Sequence, residues 1–262
     1  MPRPEDVAFP PRKERFEDRR KEGESRKLRD EFFDHSTLLA VSRLITQGQF
    51  EALDHPIATG KEGGVFRATT PGGFRAVKIY RIGNSVFRTL PPHVLEEFRR
   101  QASAQNFSRL ITAWTRREHT ILGRLYDAGV RTPEPYAYDR NVLVMGFVGG
   151  ADGEAARRLI ESTAGADPEA LYADLVRQIR RMISRAHLVH GDLSPYNVLL
   201  HQGRLVLIDV AQAMPTDHPQ ARALLERDLK NFARFFSRLG RPTPFDDLWR
   251  ATGADAVHPP ER

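Results

Sequence analysis

The sequence predicts an α+β fold, with an antiparallel sheet at the front of the chain and mainly helices behind it. Three observations lead there. Short β-type runs separated by glycine turns fill the first third. Apolar residues recur at helical spacing through the second half. And 262 residues that are 40% apolar can bury a substantial core in one large domain or two small lobes. The chain has no cysteine, which excludes thiol catalysis, thiolate metal sites and disulfides. No run approaches the roughly 18 apolar residues of a membrane helix, and the N-terminus lacks the apolar core of a signal peptide. The expectation is a soluble cytoplasmic protein with no membrane partner.

In chain order, residues 1–33 read as a charged flexible tail: the first thirty carry ten basic and eight acidic side chains. From Ser36, a plausible N-cap, Leu38, Val41, Leu44 and Ile45 mark a helix. Strands follow at Ile57–Thr59, Val65–Ala68 and Phe74–Tyr80, parted by Gly63-Gly64 and by Pro71-Gly72-Gly73. Residues 83–109 are polar and read as a mobile insertion with a short helix at His93–Gln101. An amphipathic helix runs from Leu110 to Tyr126 and is closed by Gly129. Val142–Val148 is a buried strand, and residues 34–148 form the first lobe. In the second lobe, 149–262, Pro168 opens a helix. Val198–Leu200 and Leu205–Ile208 form a hairpin around Gln202-Gly203. A last helix runs from Pro219 to Leu239, ended by Gly240.

The net charge is +6, and arginine supplies 34 of the 40 basic residues. Such a balance is compatible with phosphate-rich partners such as RNA, or simply with a solvated surface. No basic run is interleaved with aromatics, so no local nucleic-acid motif is present. The histidines show no zinc spacing, and Trp114 and Trp249 read as packing residues.

The chemistry concentrates in VHGDLSPYNVLL, residues 189–200. Asp192 and Asn197 stand five apart, and the following hairpin ends at Asp209 in LVLIDVAQAM. Phosphoryl transfer needs a carboxylate to accept the hydroxyl proton and oxygen ligands for a hard cation such as Mg²⁺. This set supplies both, and D-x-x-x-x-N is the spacing of a kinase catalytic loop. The bland alternative is a polar loop that caps a helix. A second element, TGKEGGVFRA at 59–68, could lay a glycine-rich turn over phosphates, and Lys78 lies one strand later. Alone the turn is only a hairpin. Glu118 falls on the apolar stripe of the helix from Leu110, where a carboxylate needs a cation. Lys78 is the economical partner, with Arg117 or Arg124 at the surface as the alternative. Asp228 lies on the inner face of the last helix. It is expected to accept backbone N–H bonds from the loop around His190 and Gly191, or else to pair with Arg227 or Arg222.

These motifs resemble the RIO family of atypical protein kinases. TGKEGGVF is similar to that family's S/T-G-K-E-x-x-V loop. HGDLSPYN resembles H-x-D-L-S-x-Y-N, and IDVAQA resembles I-D-x-S-Q-A. DHPQARALLERDLKNFARFF resembles the closing helix, and the resemblance runs from about Ser36 to Leu239. It implies a reduced two-lobed kinase-like fold without activation loop or peptide-binding subdomains, nearest the subgroup lacking a winged helix. It implies ATP with Mg²⁺, Mn²⁺ being the alternative ion. Carried over by position, Thr59, Gly60, Lys61, Glu62, Gly63, Gly64 and Val65 cover the nucleotide. Lys78, paired with Glu118, holds phosphates, and Met145 is the gatekeeper. Gly146, Phe147 and Val148 receive the adenine. Asp192 is the catalytic base, and Asn197 and Asp209 bind metal, Asp209 also being a candidate phospho-acceptor. His190, Ser194 and Asp228 support the loop. Departures are Gly63-Gly64, Gly146 in place of a common glutamate, and Ala211 in place of serine.

The resemblance implies a serine/threonine protein kinase, an ATPase, or both, acting on an unidentified protein and on itself. Two other readings compete. One is an aminoglycoside- or choline-kinase-like phosphotransferase, which shares H-G-D-x-x-x-x-N. The other is an ATP-gated binding module on a ribosomal particle.

Overall fold

The computed structural model describes residues 32–61, 63–82 and 107–257. The expected helix at His93–Gln101, nearly all of the 83–109 segment, Glu62 and most of the charged tail lie outside the described residues. Phe32, read with the tail, is instead a core residue, 2% exposed.

The first helix, α1, is His35–Thr46, and its N-cap is Asp34, whose side chain accepts from the Thr37 amide at 2.7 Å. Ser36, the expected cap, therefore sits inside the first turn. The buried face is Thr37, Ala40, Val41 and Leu44, while Leu38 and Ile45 point outward. Both sets satisfy the helical period; the sheet beneath decides which one is covered.

Strands Ala52–Thr59 (β1), Gly63–Thr70 (β2), Gly73–Tyr80 (β3), Pro135–Asp139 (β4) and Val142–Gly146 (β5) form one antiparallel sheet in the order β1-β2-β3-β5-β4. The two faces of β3 divide by the period of two. Val77 and Ile79 join Phe32, α1 and Phe66 in an outer core. Ala76, Lys78 and Tyr80 face the other way, toward helix Phe107–Asp127 (α2). Residues 107–109, read with the insertion, are the first turn of that helix. The sheet thus carries a helix on each face.

β5 stops at Gly146, two residues before the predicted end, where the Gly146 amide turns to the Glu134 carbonyl at 2.7 Å. Then follow Arg157–Arg158 (β6), Pro168–Ser184 (α3), Leu188–Val189 (β7), Val198–His201 (β8), Arg204–Leu207 (β9), Met214–Pro215 (β10), Ala221–Arg238 (α4) and Phe245–Thr252 (α5). α3 starts as read, with Asp167 as cap and Pro168 in the first turn. α4 begins two residues later than expected. The β8–β9 turn has positive φ at both Gln202 and Gly203, the geometry that keeps a tight hairpin twisted correctly. One large core joins Ile121, Leu122 and Leu125 of α2 to Leu175 and Ile179 of α3, and to Leu229, Phe232 and Phe236 of α4. The site lies between this core and the sheet. Among the described residues, no helix is long and apolar enough to cross a membrane.

Candidate active site

Lys78 is fixed by three oxygens. Its Nζ donates to Glu118 Oε1 at 2.8 Å, to Glu118 Oε2 at 2.9 Å and to Asp209 Oδ1 at 2.7 Å. Glu118 is 1% exposed, so its place on the apolar stripe of α2 holds, and it faces Lys78. The Tyr80 hydroxyl, one pleat beyond Lys78 on the same face of β3, also donates to Glu118. Burial alone would lower the Lys78 pKa, but Asp209 and Glu118 outweigh it and raise the value. Lys78 in turn holds the Asp209 carboxyl below the usual carboxylate range.

Asp209 occupies the left-handed region, φ 57° and ψ 50°. For a residue with a β-carbon that conformation is costly and marks a constrained turn. Two residues past the end of β9, it sends its carboxylate to Lys78 while the chain turns away through Val210–Gln212.

The loop between β7 and β8 carries Asp192 and Asn197. Asn197 Nδ2 donates to Asp192 Oδ2 at 3.1 Å and to the Asp192 carbonyl at 2.8 Å. The Asn197 amide closes the loop on the Ser194 carbonyl at 2.9 Å, so Ser194 contributes through its backbone. Gly191 has φ +80°, and a methyl group there would lie 2.9 Å from the Gln212 carbonyl, so only glycine fits. His190 is buried, its Nε2 3.0 Å from the Ile208 carbonyl, and burial pushes its pKa down. It joins the loop to the strand that delivers Asp209.

Asp228 is 1% exposed and accepts from the Leu193 amide at 2.9 Å. The donor is Leu193, immediately after Asp192, in the loop around His190 and Gly191 where the sequence placed it. The neighbouring Arg227 is also the partner the sequence offered as the alternative, and it reaches the catalytic loop as well, which the sequence did not reveal. Its Nη2 donates to the Gly191 carbonyl at 2.6 Å and to Asp228 Oδ1 at 3.2 Å, and lies 3.7 Å from Asp192 Oδ1. Burial raises the Asp228 pKa to about 7 against the Leu193 and Arg227 contacts.

Lys78, Tyr80, Glu118, Asp192, Asn197 and Asp209 open onto one cavity of about 810 Å³. Thr59, Gly60, Lys61, Gly63 and Val65 roof it, Met145, Gly146 and Val148 form its back edge, and Asp192, Asn197, Asp209, Lys78 and Glu118 lie at its polar end. Leu199 and Ile208, which the motifs did not single out, add an apolar floor beneath Val65 and Ala76. A flat heteroaromatic ring fits between such faces. Two predicted residues do not line the cavity. Gly64 faces the outer core, where an added methyl group would meet the Phe32 and Phe66 rings at 3.1 Å. The Phe147 ring packs on Phe74, centroids 5.7 Å apart.

Among the described residues, no three His, Cys, Asp or Glu side chains cluster as a metal cage. The donor set nonetheless fits Mg²⁺, which takes one or two protein oxygens and completes its shell from phosphates and water. Asp209 supplies a carboxylate, its side chain 47% exposed to the cleft. Asn197, with its N–H₂ engaged, has its oxygen left.

Comparison with known proteins agrees. The family model described as RIO domain matches residues 64–248. The RIO-type serine/threonine-protein kinase Rio1 of Haloferax volcanii is 41% identical over 243 residues, 92% of this chain and 82% of that protein. The Methanocaldococcus jannaschii Rio1 is 30% identical, covering 94% of this chain and 84% of the relative. The serine/threonine-protein kinase RIO1 of Caenorhabditis elegans is longer: at 36% identity, the match spans 81% of this chain and 42% of that protein. Among solved structures, the ADP/Mg²⁺-phosphoaspartate complex of the Rio2 kinase from Chaetomium thermophilum has a TM-score of 0.62 and 26% identity, covering 84% of this chain and 67% of that one. From the glycine turn through the catalytic loop to the closing helix, this chain belongs to the RIO domain family.

Proposed function

We propose that the chain is a RIO-type serine/threonine protein kinase that transfers the γ-phosphoryl group of ATP. The observation that carries this reading is the convergence of Glu118 and Asp209 on Lys78, in the cavity that Asp192 and Asn197 also line. Lys78 would orient the phosphates, and Asp192, aimed by Asn197, would accept the proton of the acceptor hydroxyl. Bound Mg²⁺ would neutralise charge on the phosphates, and Asp209 and Asn197 are the side chains that would hold it. Mn²⁺ suits the same oxygen donors.

Three finer statements belong to the same reading. Autophosphorylation accompanies transfer to an unidentified protein. ATPase turnover arises when Asp209 itself accepts the phosphoryl group. The carboxylate oxygen bonds to phosphorus, the bond to ADP breaks, and water then hydrolyses the acyl phosphate. Its exposed carboxylate supports this, and the Chaetomium thermophilum Rio2 complex is described with a phosphoaspartate. Association with a ribosomal particle or RNA rests on the +6 charge alone.

The test is radiolabelled ATP with the purified protein, scoring autophosphorylation, free phosphate and labelled candidate substrates together. Asp192→Ala should abolish turnover, and Asp209→Ala should weaken Mg²⁺-dependent nucleotide binding. Full turnover in Asp192→Ala would overturn the assignment of the base.

A further inference from the structure

We propose that Arg117 is a positioning residue that ties α2 to the turn after Asp209, so that Glu118 and Asp209 are presented to Lys78 as one assembly. Its Nε donates to the Ala211 carbonyl at 2.9 Å and its Nη2 to the Ala213 carbonyl at 2.7 Å. These two oxygens lie on the short turn that Asp209 opens in its left-handed conformation. A guanidinium with two donors on two carbonyls fixes direction as well as distance. One and two turns earlier on α2, Trp114 and Ile111 pack with Ala211 and Tyr80, so the same stretch is gripped by a polar and an apolar contact.

From its own half of the molecule, the segment from Ile208 to Met214 is held at both ends. His190 faces the Ile208 carbonyl, and Met214 pairs with Val189. Arg117 comes from the helix that carries Glu118 in the next position. Tethering that helix to the Asp209 turn removes the freedom of the Lys78–Glu118 pair and the Asp209 carboxylate to move apart. The geometry makes the Mg²⁺ contribution to nucleotide affinity depend on a side chain that touches neither metal nor nucleotide.

The inference rests on the reading of Asp209 as the metal carboxylate, and the test separates the two. ADP affinity is measured calorimetrically with Mg²⁺ and with EDTA, for the full-length wild type, Arg117→Ala and Arg117→Lys, with melting temperatures alongside. In the wild type, Mg²⁺ should tighten ADP binding. Arg117→Ala should lose about tenfold or more of that gain while its affinity in EDTA stays unchanged. Arg117→Lys, which can reach one carbonyl, should recover part of it, and serves alone if the alanine variant does not fold. If either variant keeps the whole gain, or loses affinity equally with and without Mg²⁺, the tether is wrong and the metal assignment stands. If the wild type shows no gain, the metal assignment falls and the inference with it.

Discussion

The Lys78–Glu118 pair offers a test in which stability and activity part company. Glu118 and Lys78 have side chains 2% and 12% exposed, so both charges sit largely out of water. Removing one partner of a buried pair strands the other and costs about 3–5 kcal/mol. Lys78→Met should fall in that range, because the buried Glu118 carboxylate loses both of its Lys78 contacts. Glu118→Met should cost less, about 2–3 kcal/mol, because Lys78 keeps Asp209 at 2.7 Å. The double variant Lys78→Met, Glu118→Met removes both charges and puts two apolar chains of similar volume in their place. It should return to within about 1–2 kcal/mol of the wild type, the remainder coming from the Tyr80 hydroxyl and the half-exposed Asp209 carboxylate, which lose Glu118 and Lys78 respectively. For a chain of this length each kcal/mol moves the midpoint by roughly 2–4 °C. The singles should then melt roughly 4–20 °C low and the double within roughly 8 °C of wild type. Thermal unfolding and radiolabelled ATP turnover are measured on all four proteins. All three variants should be inactive, including the stable double. Strictly additive losses in the double, or turnover in Lys78→Met, would refute the argument.

Other outcomes follow from the same geometry. Asp192→Asn keeps the shape of the loop but not the proton acceptor, so turnover should drop by about 10²-fold or more with nucleotide binding retained; unchanged kcat would exclude Asp192 as base. Asp228 keeps its proton to about pH 7 in the folded protein, against an ordinary value of 3.8. The native state then binds the extra proton, so this group's stabilisation is complete below 3.8 and is lost as pH rises to about 7. Between these limits the urea midpoint should change with pH more negatively in the wild type than in Asp228→Asn, the lowered pKa of His190 contributing with the opposite sign to both; identical slopes would contradict the burial effect. Gly63→Ala drives a methyl group into the Ile79 carbonyl across the β2–β3 ladder, whereas Gly64→Ala only presses on the Phe32 and Phe66 rings. Gly63→Ala should lower the melting point much more, and equal shifts would show that the ladder yields.

Much of the site was legible because its groups are tied to local periods. Lys78 follows from the alternation of β3, which sends Val77 and Ile79 to one core and Ala76, Lys78 and Tyr80 to the other side. Glu118 follows from its place on an otherwise apolar helical stripe. The spacing of Asp192 and Asn197 reflects a loop that Asn197 closes within six residues, through its side-chain N–H₂ to Asp192 and its backbone amide to Ser194. Strand β4 escaped because PYAYD lies at the sheet edge with mixed exposure and no apolar alternation. Helix α5 is eight residues long and is held by packing onto α3 and α4 more than by its own pattern.

By itself, then, the sequence determined which residues share a face: the cation on one side of a strand, the carboxylate on one side of a helix, the acid and amide of one loop. Only the tertiary structure decided what each face meets. Arg117 and Glu118 are adjacent, yet one reaches the turn after Asp209 and the other reaches Lys78. Likewise Asp228 grips the Leu193 amide while Arg227 grips the Gly191 carbonyl. Periodicity is a property of a few consecutive residues. The partner across a helix–turn or helix–loop contact is set by how distant segments pack, and no local pattern encodes that distance.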